Sequence, residues 1–417
     1  MMKKIYTGIR GTCDFTPSKS HSFNKITQTA RQIFKVFGYE EVILPLLEEE
    51  DLFKRGVGET TEIVERQMFK IQGKSIVLRP EGTAQVVRYY LENSLYKQSD
   101  FHKFSYIGAM FRGERPQKGR LRQFHHIGAE AIGSDSFYLD GEIIALSMKI
   151  LEGIGIQEKQ LLINSLGCLE DKEKFSQKIK KILNSKKDKL CPDCQRRLER
   201  NPLRVLDCKR QECRGVVTSL NLGKESLCSN CKSRFENLLF TLDNLKIKYT
   251  QTPYLVRGLD YYTNVVFEII SGSLGSQDAL GAGGRYNNLV RDLGGPDIPG
   301  IGFSLGIERI LLALKTSQEE KKIKVFIITA SETLLGAGFK ILQRLREQNL
   351  ACDMDYCGKS LKGQLRYACK RGAKYVVILG EEEWKEQCVM LKDMEKSVQE
   401  KVKIEDLAAL LKKYMIL

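Results

Sequence analysis

The sequence predicts a multidomain α+β protein, and three observations support this fold class. The chain has 417 residues, more than a single hydrophobic core usually organises. Helical and strand-like segments are mixed up to about residue 318, interrupted by a cysteine-rich and basic stretch. Strands then alternate with helices to the end of the chain. We therefore expect a first domain of residues 1–167 and 246–318, an insertion of residues 168–245, and a last domain of residues 322–417.

The first domain is predicted to begin with a helix and to continue with strands. Residues 20–37 carry apolar side chains at helical spacing, and Gly38 stands where a glycine commonly ends a helix. EVILPLL (41–47) is typical of an extended segment. FHKFSYIGAMFRGE and RLRQFHHIGAEAIG flank the polar loop ERPQKG, which predicts two strands joined by a basic loop. Residues 139–155 predict a second amphipathic helix.

Strand-like segments resume after the insertion. YLVRGLDYYTNVVFEII and GAGGRYNNLV are followed by PGIGFSLGIERILLAL, which predicts a strand that runs directly into a helix. KTSQEEKKIK (315–324) is typical of a linker. Beyond it, VFIITA, CDMDY, YVVILG and CVMLKDM alternate with helical segments, which predicts one compact α/β domain.

Composition and charge narrow the function classes. No run of 18 apolar residues occurs, and the N-terminal segment has no apolar core typical of a secretory signal, so we expect a cytoplasmic protein. Net charge is +15, and residues 171–250 hold 20 Lys and Arg against 10 Asp and Glu, a net of +10. A basic segment of this kind suits a nucleic-acid partner, because Lys and Arg neutralise phosphates. Solubility alone would also account for a positive charge.

The predicted strand–loop–strand concentrates cations on one hairpin. Its charged side chains are Arg112, Glu114, Arg115, Lys118, Arg120 and Arg122. Paired guanidinium groups can grip phosphate in a bidentate way that lysine cannot, and Phe124 offers an aromatic face for a purine. A salt-bridged surface hairpin would contain the same residue types, so the hairpin by itself leaves both interpretations open.

Several motifs in one order decide between them. FRGERPQKGRLRQFHHIGAE resembles motif 2 of class II aminoacyl-tRNA synthetases, GIGFSLGIERI resembles motif 3, and GYEEVILPLLEEEDLFKRGVGE resembles motif 1. LRPEGTA (78–84) and LVRGLDYYTNVVFE (255–268) resemble the two segments specific to the histidyl-tRNA synthetase family. This resemblance implies an antiparallel sheet flanked by helices as the catalytic domain, a homodimer formed through motif 1, and a C-terminal anticodon-binding domain.

The resemblance also implies a reaction and the residues that perform it. The family joins histidine to ATP as histidyl-adenylate and transfers histidine to the 3′ end of tRNA(His), with Mg²⁺ accompanying ATP. Its implied catalytic residues are Arg257 and Arg112. The implied residues for substrate histidine are Glu81, Thr83, Arg112, His126, Glu130, Tyr261 and Tyr262. The implied residues for ATP are Arg112, Glu114, Arg120, Phe124 and Arg309. Arg115 and Gln117 are implied to approach the tRNA acceptor end.

Chemistry agrees with these implied roles. Activation brings two anions together, a carboxylate and the α-phosphate, so several arginines without a general base are the expected residues. Neutral imidazole has one hydrogen-bond donor and one acceptor, and a carboxylate with a phenol, Glu130 with Tyr262, meets that demand. His126 stands where many family members carry glutamine, and it can still donate one hydrogen bond. For His125 we expect a structural role.

The insertion contains cysteines at metal-binding spacing. Cys191 and Cys194 form one CxxC pair, and Cys228 and Cys231 form another. Tetrahedral Zn²⁺ takes four thiolates delivered as two such pairs, which predicts a structural zinc site on these four residues. A third pair, Cys208 with Cys213, leaves open which four bind. A set of free buried thiols is the alternative.

Two other functions are compatible with parts of the sequence. One is a non-catalytic paralogue that regulates histidine biosynthesis by binding an ATP phosphoribosyltransferase. Such paralogues typically lack the C-terminal domain and lose the histidine-specific motif, and this chain has both. The other is a stand-alone RNA-binding module, in which arginines placed for ATP would have no use.

Overall fold

The computed structural model describes residues 6–208, 210–220, 227–275, 278–314 and 324–416. Contacts divide the chain into two compact units, Met1–Gln318 and Glu319–Leu417. The linker predicted at 315–324 lies outside the described residues, except for Lys324. The predicted insertion lies within the first unit, and its separation as a domain stays a prediction. Across the described ranges, no helix is long and apolar enough to cross a membrane.

Helices and short strands alternate in the first unit. Its helices are α1 (Pro17–Val36), α2 (Glu50–Val57), α3 (Thr83–Glu92), α4 (Phe137–Ile154), α5 (Leu169–Asn184), α6 (Pro192–Arg200), α7 (Gln211–Thr218), α8 (Ser229–Asn244), α9 (Leu289–Asp292) and α10 (Ile307–Ala313). Its strands are β1 (Glu40–Glu41), β2 (Leu47–Glu49), β3 (Phe69–Lys70), β4 (Ile76–Leu78), β5 (His102–Phe111), β6 (Gln123–Ile132), β7 (Gln160–Ser165), β8 (Tyr249–Gln251), β9 (Thr263–Ile270), β10 (Ala279–Arg285) and β11 (Gly300–Gly306).

An eight-stranded sheet of the described residues organises this unit. The strand order is β1-β5-β6-β11-β10-β9-β7-β8. Neighbouring strands are antiparallel except for the pairs β1–β5 and β7–β8. The predicted antiparallel sheet with flanking helices is therefore confirmed. β2, β4 and β3 form a small second sheet.

The two helices predicted in the first domain both start earlier than their periodicity indicated. α1 begins at Pro17, because proline suits the first helical turn and the Thr16 hydroxyl accepts from the Lys19 amide. Its end agrees with the prediction, since Gly38 has a φ of +75°. α4 begins at Phe137, where the Ser136 hydroxyl accepts from the Tyr138 amide. Capping groups, rather than apolar spacing, set these starting points.

The segment with the cysteine pairs is helical. α5, α6, α7 and α8 carry it, joined by short 3₁₀ turns at Lys187–Lys189 and Pro202–Val205. Buried apolar side chains from these helices, including Phe175, Leu198 and Val216, join one cluster with residues of the small sheet and of α3. The insertion therefore shares a hydrophobic core with the part of the unit that carries LRPEGTA.

The second unit is an α/β fold, as predicted. Its elements are β12 (Val325–Thr329), α11 (Leu335–Glu347), β13 (Cys352–Met354), α12 (Leu361–Lys370), β14 (Tyr375–Leu379), α13 (Glu381–Lys385), β15 (Cys388–Asp393), β16 (Val398–Lys403) and α14 (Leu407–Ile416). The strand order is β13-β12-β14-β15-β16. β12 pairs in parallel with β13 and β14, and the last two pairs are antiparallel.

Candidate active site

The predicted strand–loop–strand is the hairpin of β5 and β6. These strands pair so that Phe104 lies opposite Glu130 and Gly108 opposite His126. Phe124, His126 and Glu130 occupy alternate positions of β6, so their side chains share one face of the sheet. The loop between the strands turns tightly, with Gln117 and Arg120 exchanging backbone hydrogen bonds of 3.0 and 2.9 Å.

All of the predicted ATP and catalytic residues line one cavity of about 270 Å³, namely Arg112, Glu114, Arg120, Phe124, Arg257 and Arg309. His126 and Tyr262, predicted for substrate histidine, line it as well. These residues come from the hairpin loop, from β6, from the segment before β9 and from α10. The fold therefore brings together arginines from three separate parts of the chain.

The guanidinium group of Arg112 is held at the base of the hairpin. Its Nε donates to the Pro80 carbonyl at 2.9 Å, and its Cζ lies 5.3 Å from the centre of the Phe124 ring. Burial lowers the pKa of Arg112, and the nearby carboxylates of Glu114 and Glu81 oppose this effect. Arginine stays charged under such conditions, so Arg112 presents a fixed positive charge beside an aromatic face.

Arg309 is oriented by two backbone carbonyls. It lies in α10, directly after β11, and donates to Gly119 at 3.0 Å and to Ala279 at 2.8 Å. One carbonyl belongs to the hairpin loop and the other to β10. Burial lowers the pKa of this guanidinium, and the charge of Arg120 lowers it further. The fixed orientation leaves the group preorganised to receive an anion or an aromatic ring.

Arg257 has a carboxylate partner on the sheet. Its Nη1 lies 2.6 Å from Oε1 of Glu268, a residue of β9. Burial is the largest single influence and lowers the pKa of Arg257. The charges of Glu268 and Tyr262 and the hydrogen bond to Glu268 act together in the opposite direction, and the net shift is upward. The ion pair fixes where the guanidinium points, and both residues line the cavity.

Glu130 lies in a fully buried cluster of hydroxyl groups. Its carboxylate accepts from Thr83 Oγ1 at 2.8 Å, from the Tyr286 hydroxyl at 2.8 Å and from the Tyr106 hydroxyl at 3.3 Å. Burial raises its pKa to about 8, although these hydrogen bonds act in the opposite direction. Gly302 lies opposite Glu130 on β11, and a Cβ there would come within 1.8 Å of Glu130 Oε2. Glycine at this position makes room for the carboxylate.

Glu81 and Thr83 connect this cluster to the start of α3. The Glu81 carboxylate accepts from the backbone amides of Thr83 and Ala84 at 2.7 and 2.9 Å. Burial raises the pKa of Glu81, and the two amides oppose the shift. In the described cavity lining Tyr262 is present, whereas Glu81, Thr83, Tyr261 and Glu130 are not. Their contact with a substrate stays a prediction.

Aromatic rings link the cavity wall to the buried cluster. The Tyr261 and Tyr262 rings lie 4.7 Å apart, and Tyr261 contacts Tyr286 edge to face at 5.9 Å. Burial raises the pKa of Tyr262 to about 12, while the charge of Arg257 acts in the opposite direction. Tyr262 is therefore a neutral phenol that can donate a hydrogen bond near neutral pH.

The two adjacent histidines have different surroundings. His126 faces the cavity, and burial together with the charges of Arg112 and Arg309 lowers its pKa well below the ordinary value. Its imidazole is therefore neutral near pH 7. His125 points away and pairs with Glu308, Nδ1 to Oε1, at 2.8 Å. This pairing joins β6 to α10, and a structural role for His125 stays a prediction.

Arg115 and Gln117 lie beside the cavity, in an adjoining depression. Its lining is rich in arginine and includes Arg10, Arg66 and Arg120. Glu114 and Arg120 line both spaces, so the depression opens next to the position predicted for phosphate. A role in binding the tRNA acceptor end stays a prediction.

Three partners of the site were not identified from the sequence: Tyr106, Tyr286 and Glu268. Tyr286 directly follows the glycine-rich GAGGR, and Glu268 ends the segment that resembles a histidine-specific motif. For Tyr106 the sequence contains an indirect signal, namely two glycines. Cβ atoms at Gly82 and Gly128 would come within 2.4 and 2.2 Å of the Tyr106 ring. The glycines mark the position of a large side chain, but they do not say which one.

The cysteine pairs group differently from the prediction. Four thiols of the insertion have sulfur atoms within 4.8 Å of one another: Cys191, Cys194, Cys208 and Cys213. We name these the all-cysteine cluster. A second set within the same distance, the mixed cluster, is Cys168, Asp171, Cys228 and Cys231. The predicted ligand set of Cys191, Cys194, Cys228 and Cys231 is therefore wrong, because each CxxC pair meets other partners.

Known proteins are similar in sequence to this chain over nearly its whole length. The family described as histidyl-tRNA synthetase matches residues 11–310, and the family described as anticodon binding domain matches residues 324–414. The chain is 44% identical over 405 residues to the histidine–tRNA ligase of Halothermothrix orenii, covering 95% of this chain and 97% of that protein. It is 43% identical over 402 residues to that of Aquifex aeolicus, covering 96% and 99%.

A solved structure is similar over the same extent. The crystal structure of apo S. aureus histidyl-tRNA synthetase superposes with a TM-score of 0.80 and is 32% identical in sequence. The similarity covers 97% of this chain and 99% of that one.

Proposed function

This chain belongs to the histidyl-tRNA synthetase family, and from that premise we propose how its cavity serves a histidine–tRNA ligase. The histidine carboxylate attacks the α-phosphorus of ATP, and the resulting histidyl-adenylate transfers histidine to the 3′ end of tRNA(His). The observation that carries the proposal is that Arg112, Arg257 and Arg309 line one cavity, which can hold two anionic reactants together.

ATP occupies the cavity on the side of the hairpin and α10. The adenine lies between the Phe124 ring and the Arg309 guanidinium, which combines stacking with a cation–π contact. Arg120 and Arg309 hold the outer phosphates. Support comes from the carbonyls of Gly119 and Ala279, which orient Arg309 before the nucleotide arrives.

Activation relies on charge neutralisation without a general base. The attacking carboxylate already carries its electron pair, and pyrophosphate leaves from the α-phosphorus. Arg112 contacts both the α-phosphate and the histidine carboxylate, and Arg257 stabilises the negative charge that develops on the α-phosphate. Glu268 holds Arg257 in place through the 2.6 Å ion pair, so Glu268 is a positioning residue.

Histidine is selected by the buried cluster behind the cavity. Glu130 and Tyr262 bond the two nitrogens of the substrate ring, while Glu81 and Thr83 bind the α-amino group. A carboxyl group with a pKa of about 8 presents either a proton or a lone pair near neutral pH, so it can complement either ring nitrogen. His126, as a neutral imidazole, donates one hydrogen bond, and Tyr261 packs beside Tyr262.

Transfer places the tRNA acceptor end in the depression beside the cavity. Arg115 and Gln117 contact it there, among the arginines of the lining. The basic insertion clasps the acceptor arm, which its net charge of +10 over residues 171–250 supports. The second unit, which matches the anticodon-binding family, binds the other end of the tRNA.

Two copies associate through the segment that resembles motif 1. Large apolar side chains are exposed there, with Ile43 at 94%, Leu46 at 45% and Leu47 at 50% exposure. Exposed apolar residues grouped in this way commonly mark an interface. Light scattering of the purified protein tests this: a dimer that Ile43→Asp converts to a monomer supports the interface, and a wild-type monomer contradicts it.

Mg²⁺ accompanies ATP and neutralises phosphate charge when bound. The chain offers a suitable hard ligand, because the Glu114 carboxylate lines the cavity among the predicted ATP residues. The predicted zinc concerns the cysteine clusters of the insertion. Since the reaction supplies translation with charged tRNA, we place the protein in the cytoplasm.

Aminoacylation with tritiated histidine and total tRNA tests the proposal. Histidine- and ATP-dependent labelling of tRNA supports it. A regulatory paralogue would yield no adenylate and no labelled tRNA, and an RNA-binding module would bind tRNA without labelling it. Either outcome would overturn the proposal. The matched C-terminal family favours the ligase over the regulatory paralogue, which typically lacks that domain.

A further inference from the structure

The insertion contains two clusters of potential metal ligands that the ligase reaction does not use. In the all-cysteine cluster the four sulfur atoms, and in the mixed cluster three sulfurs and a carboxylate oxygen, lie within 4.8 Å of one another. A tetrahedral Zn²⁺ with bonds of about 2.3 Å to sulfur requires sulfur atoms about 3.8 Å apart. Both sets are therefore close to the spacing that one zinc ion demands.

The backbone around each cluster is arranged to support thiolates. Cys191 and Cys228 occupy the N-cap positions of α6 and α8, and each is followed three residues later by a second cysteine in the first helical turn. The Cys191 amide donates to the sulfur of Cys213 at 3.2 Å. The Cys168 amide donates to the sulfur of Cys231 at 3.2 Å. Amide donors to sulfur orient a metal ligand and stabilise its charged form.

Asp171 completes the mixed cluster. Its side chain is 2% exposed, and both carboxylate oxygens accept from the Cys228 amide at 3.1 Å. A buried carboxylate is costly unless it is paired or binds a metal. Cys231 extends the cluster to the central sheet, because its sulfur lies 3.7 Å from Oδ1 of Asn264 in β9.

Residues next to the two clusters hold the loop Arg257–Tyr262. From the segment between Cys194 and Cys208, Arg204 donates to the Gly258 carbonyl at 2.8 Å and Asn201 donates to Asp260 Oδ1 at 2.9 Å. From the helix of the mixed cluster, Lys172 donates to the carbonyls of Asp260 and Tyr262 at 2.6 and 3.0 Å. Residues near both clusters therefore hydrogen-bond to the loop that supplies Arg257 and Tyr262.

We propose that each cluster binds one Zn²⁺ ion, and that the two ions position the loop Arg257–Tyr262 against the cavity. Thiolate sulfur is the ligand type that selects zinc over magnesium. The ions have no contact with the reactants. They act by fixing the N-terminal ends of α5, α6 and α8, and residues of α5 and of the segment after α6 hold the loop.

Metal analysis of the wild-type chain, purified without added metal or chelator, tests the binding directly. Two zinc ions per chain are expected by mass spectrometry of the elements. Fewer than two, or iron in place of zinc, would overturn the proposal, as would disulfides found by mass mapping in either cluster. This measurement requires neither a variant nor activity.

Variants then assign the ions. Cys191→Ser and Cys228→Ser are each expected to lose one zinc ion and retain the other. The matched control is Cys352→Ser, a buried cysteine at 8% exposure in the second unit and outside both clusters, which is expected to retain two. Loss of zinc in the control, or retention of both ions in the cluster variants, would contradict the assignment.

The proposed effect of zinc on the loop Arg257–Tyr262 rests on the proposed function, because it is measured as an exchange rate. The zinc content is measured independently of that function. Removal of zinc from the wild type by a thiol-reactive mercurial and a chelator, followed by thiol reduction, is expected to slow histidine-dependent ATP–pyrophosphate exchange. We expect the exchange rate to fall about 10- to 100-fold, which is the loss that misplaced catalytic groups produce. Added Zn²⁺ is expected to restore the rate. Unchanged exchange after complete zinc loss would refute the positioning role while leaving the ligase function intact.

Discussion

Replacing Glu130 by glutamine tests how the site recognises histidine. Glutamine preserves the size of the side chain. Its amide oxygen can still accept from Thr83 and Tyr106, and its amide nitrogen can donate to the Tyr286 hydroxyl, so the hydroxyl cluster is largely kept. What is lost is the titratable carboxyl group that we propose bonds the substrate ring. Alanine would be a poorer probe, because three buried hydroxyl groups would lose their acceptor at 2.8, 2.8 and 3.3 Å. At about 1 kcal/mol or more for each, the fold itself would be destabilised.

The expected magnitude follows from the contact removed. Leaving a buried donor or acceptor without its partner costs about 1–3 kcal/mol, which corresponds to roughly 5- to 150-fold in affinity. We expect the histidine KM of Glu130→Gln to rise by that factor. The ATP KM should change much less, because the cavity residues predicted for ATP do not contact Glu130.

The assay is ATP–pyrophosphate exchange with histidine and ATP varied separately. Glu152→Gln is the matched control, since Glu152 is an exposed glutamate at the end of α4 that pairs only with Lys149 in the described contacts. Urea unfolding of both variants verifies the fold. Equal increases in the two KM values, or a histidine KM like that of the control, would refute the assignment of Glu130 to the imidazole.

Four further predictions concern the same site. Arg257→Ala should lower the exchange rate by about 10²-fold or more in a folded protein, because it removes a preorganised charge contact; a rate within about threefold of wild type would exclude Arg257 from catalysis. Glu268→Gln should lower the same rate less than Arg257→Ala, and combining the two should add little, since Glu268 acts through Arg257; additive losses in a double-mutant cycle would contradict this. Gly302→Ala should destabilise the chain, because its Cβ would meet Glu130 Oε2 at 1.8 Å, and an unchanged urea midpoint would argue against that packing. Because the pKa of Glu130 is raised, the folded state holds a proton that the unfolded state releases, so the contribution of Glu130 to the unfolding free energy is present below pH 4.5 and is lost as pH rises to about 8. Urea titrations across this range should show a smaller decline of the unfolding free energy for Glu130→Gln than for wild type. Equal slopes of unfolding free energy against pH would contradict this prediction.

Local signals predicted the secondary structure of the site well. The helix of residues 20–37 was expected from apolar spacing and Gly38, and α1 ends as predicted. The strand running into a helix at motif 3 is β11 followed by α10. Each of these features depends on neighbours within a few residues, where periodicity and capping act.

The partners of the functional groups were decided by the tertiary structure. Thr83 and Glu130 are 47 residues apart, and Tyr286 and Glu130 are 156 apart. No local pattern links residues at such separations, so the hydroxyl cluster and the raised pKa of Glu130 followed only from the packing of β5, β6 and β11. The same holds for Arg257, whose ion-pair partner depends on the path of the chain into β9.

The cysteines show most clearly which features follow from the sequence and which follow only from the tertiary structure. Spacing along the chain identified the two CxxC pairs and predicted metal binding for them, because two thiols three residues apart reach the same point from one helical turn. The spacing does not predict which cysteines cluster together, since that depends on how α5, α6, α7 and α8 pack. The sequence by itself determined the family and the reaction, and it predicted the residue types of the site. The folded chain decided which side chain faces which, because those contacts join segments that are distant in sequence.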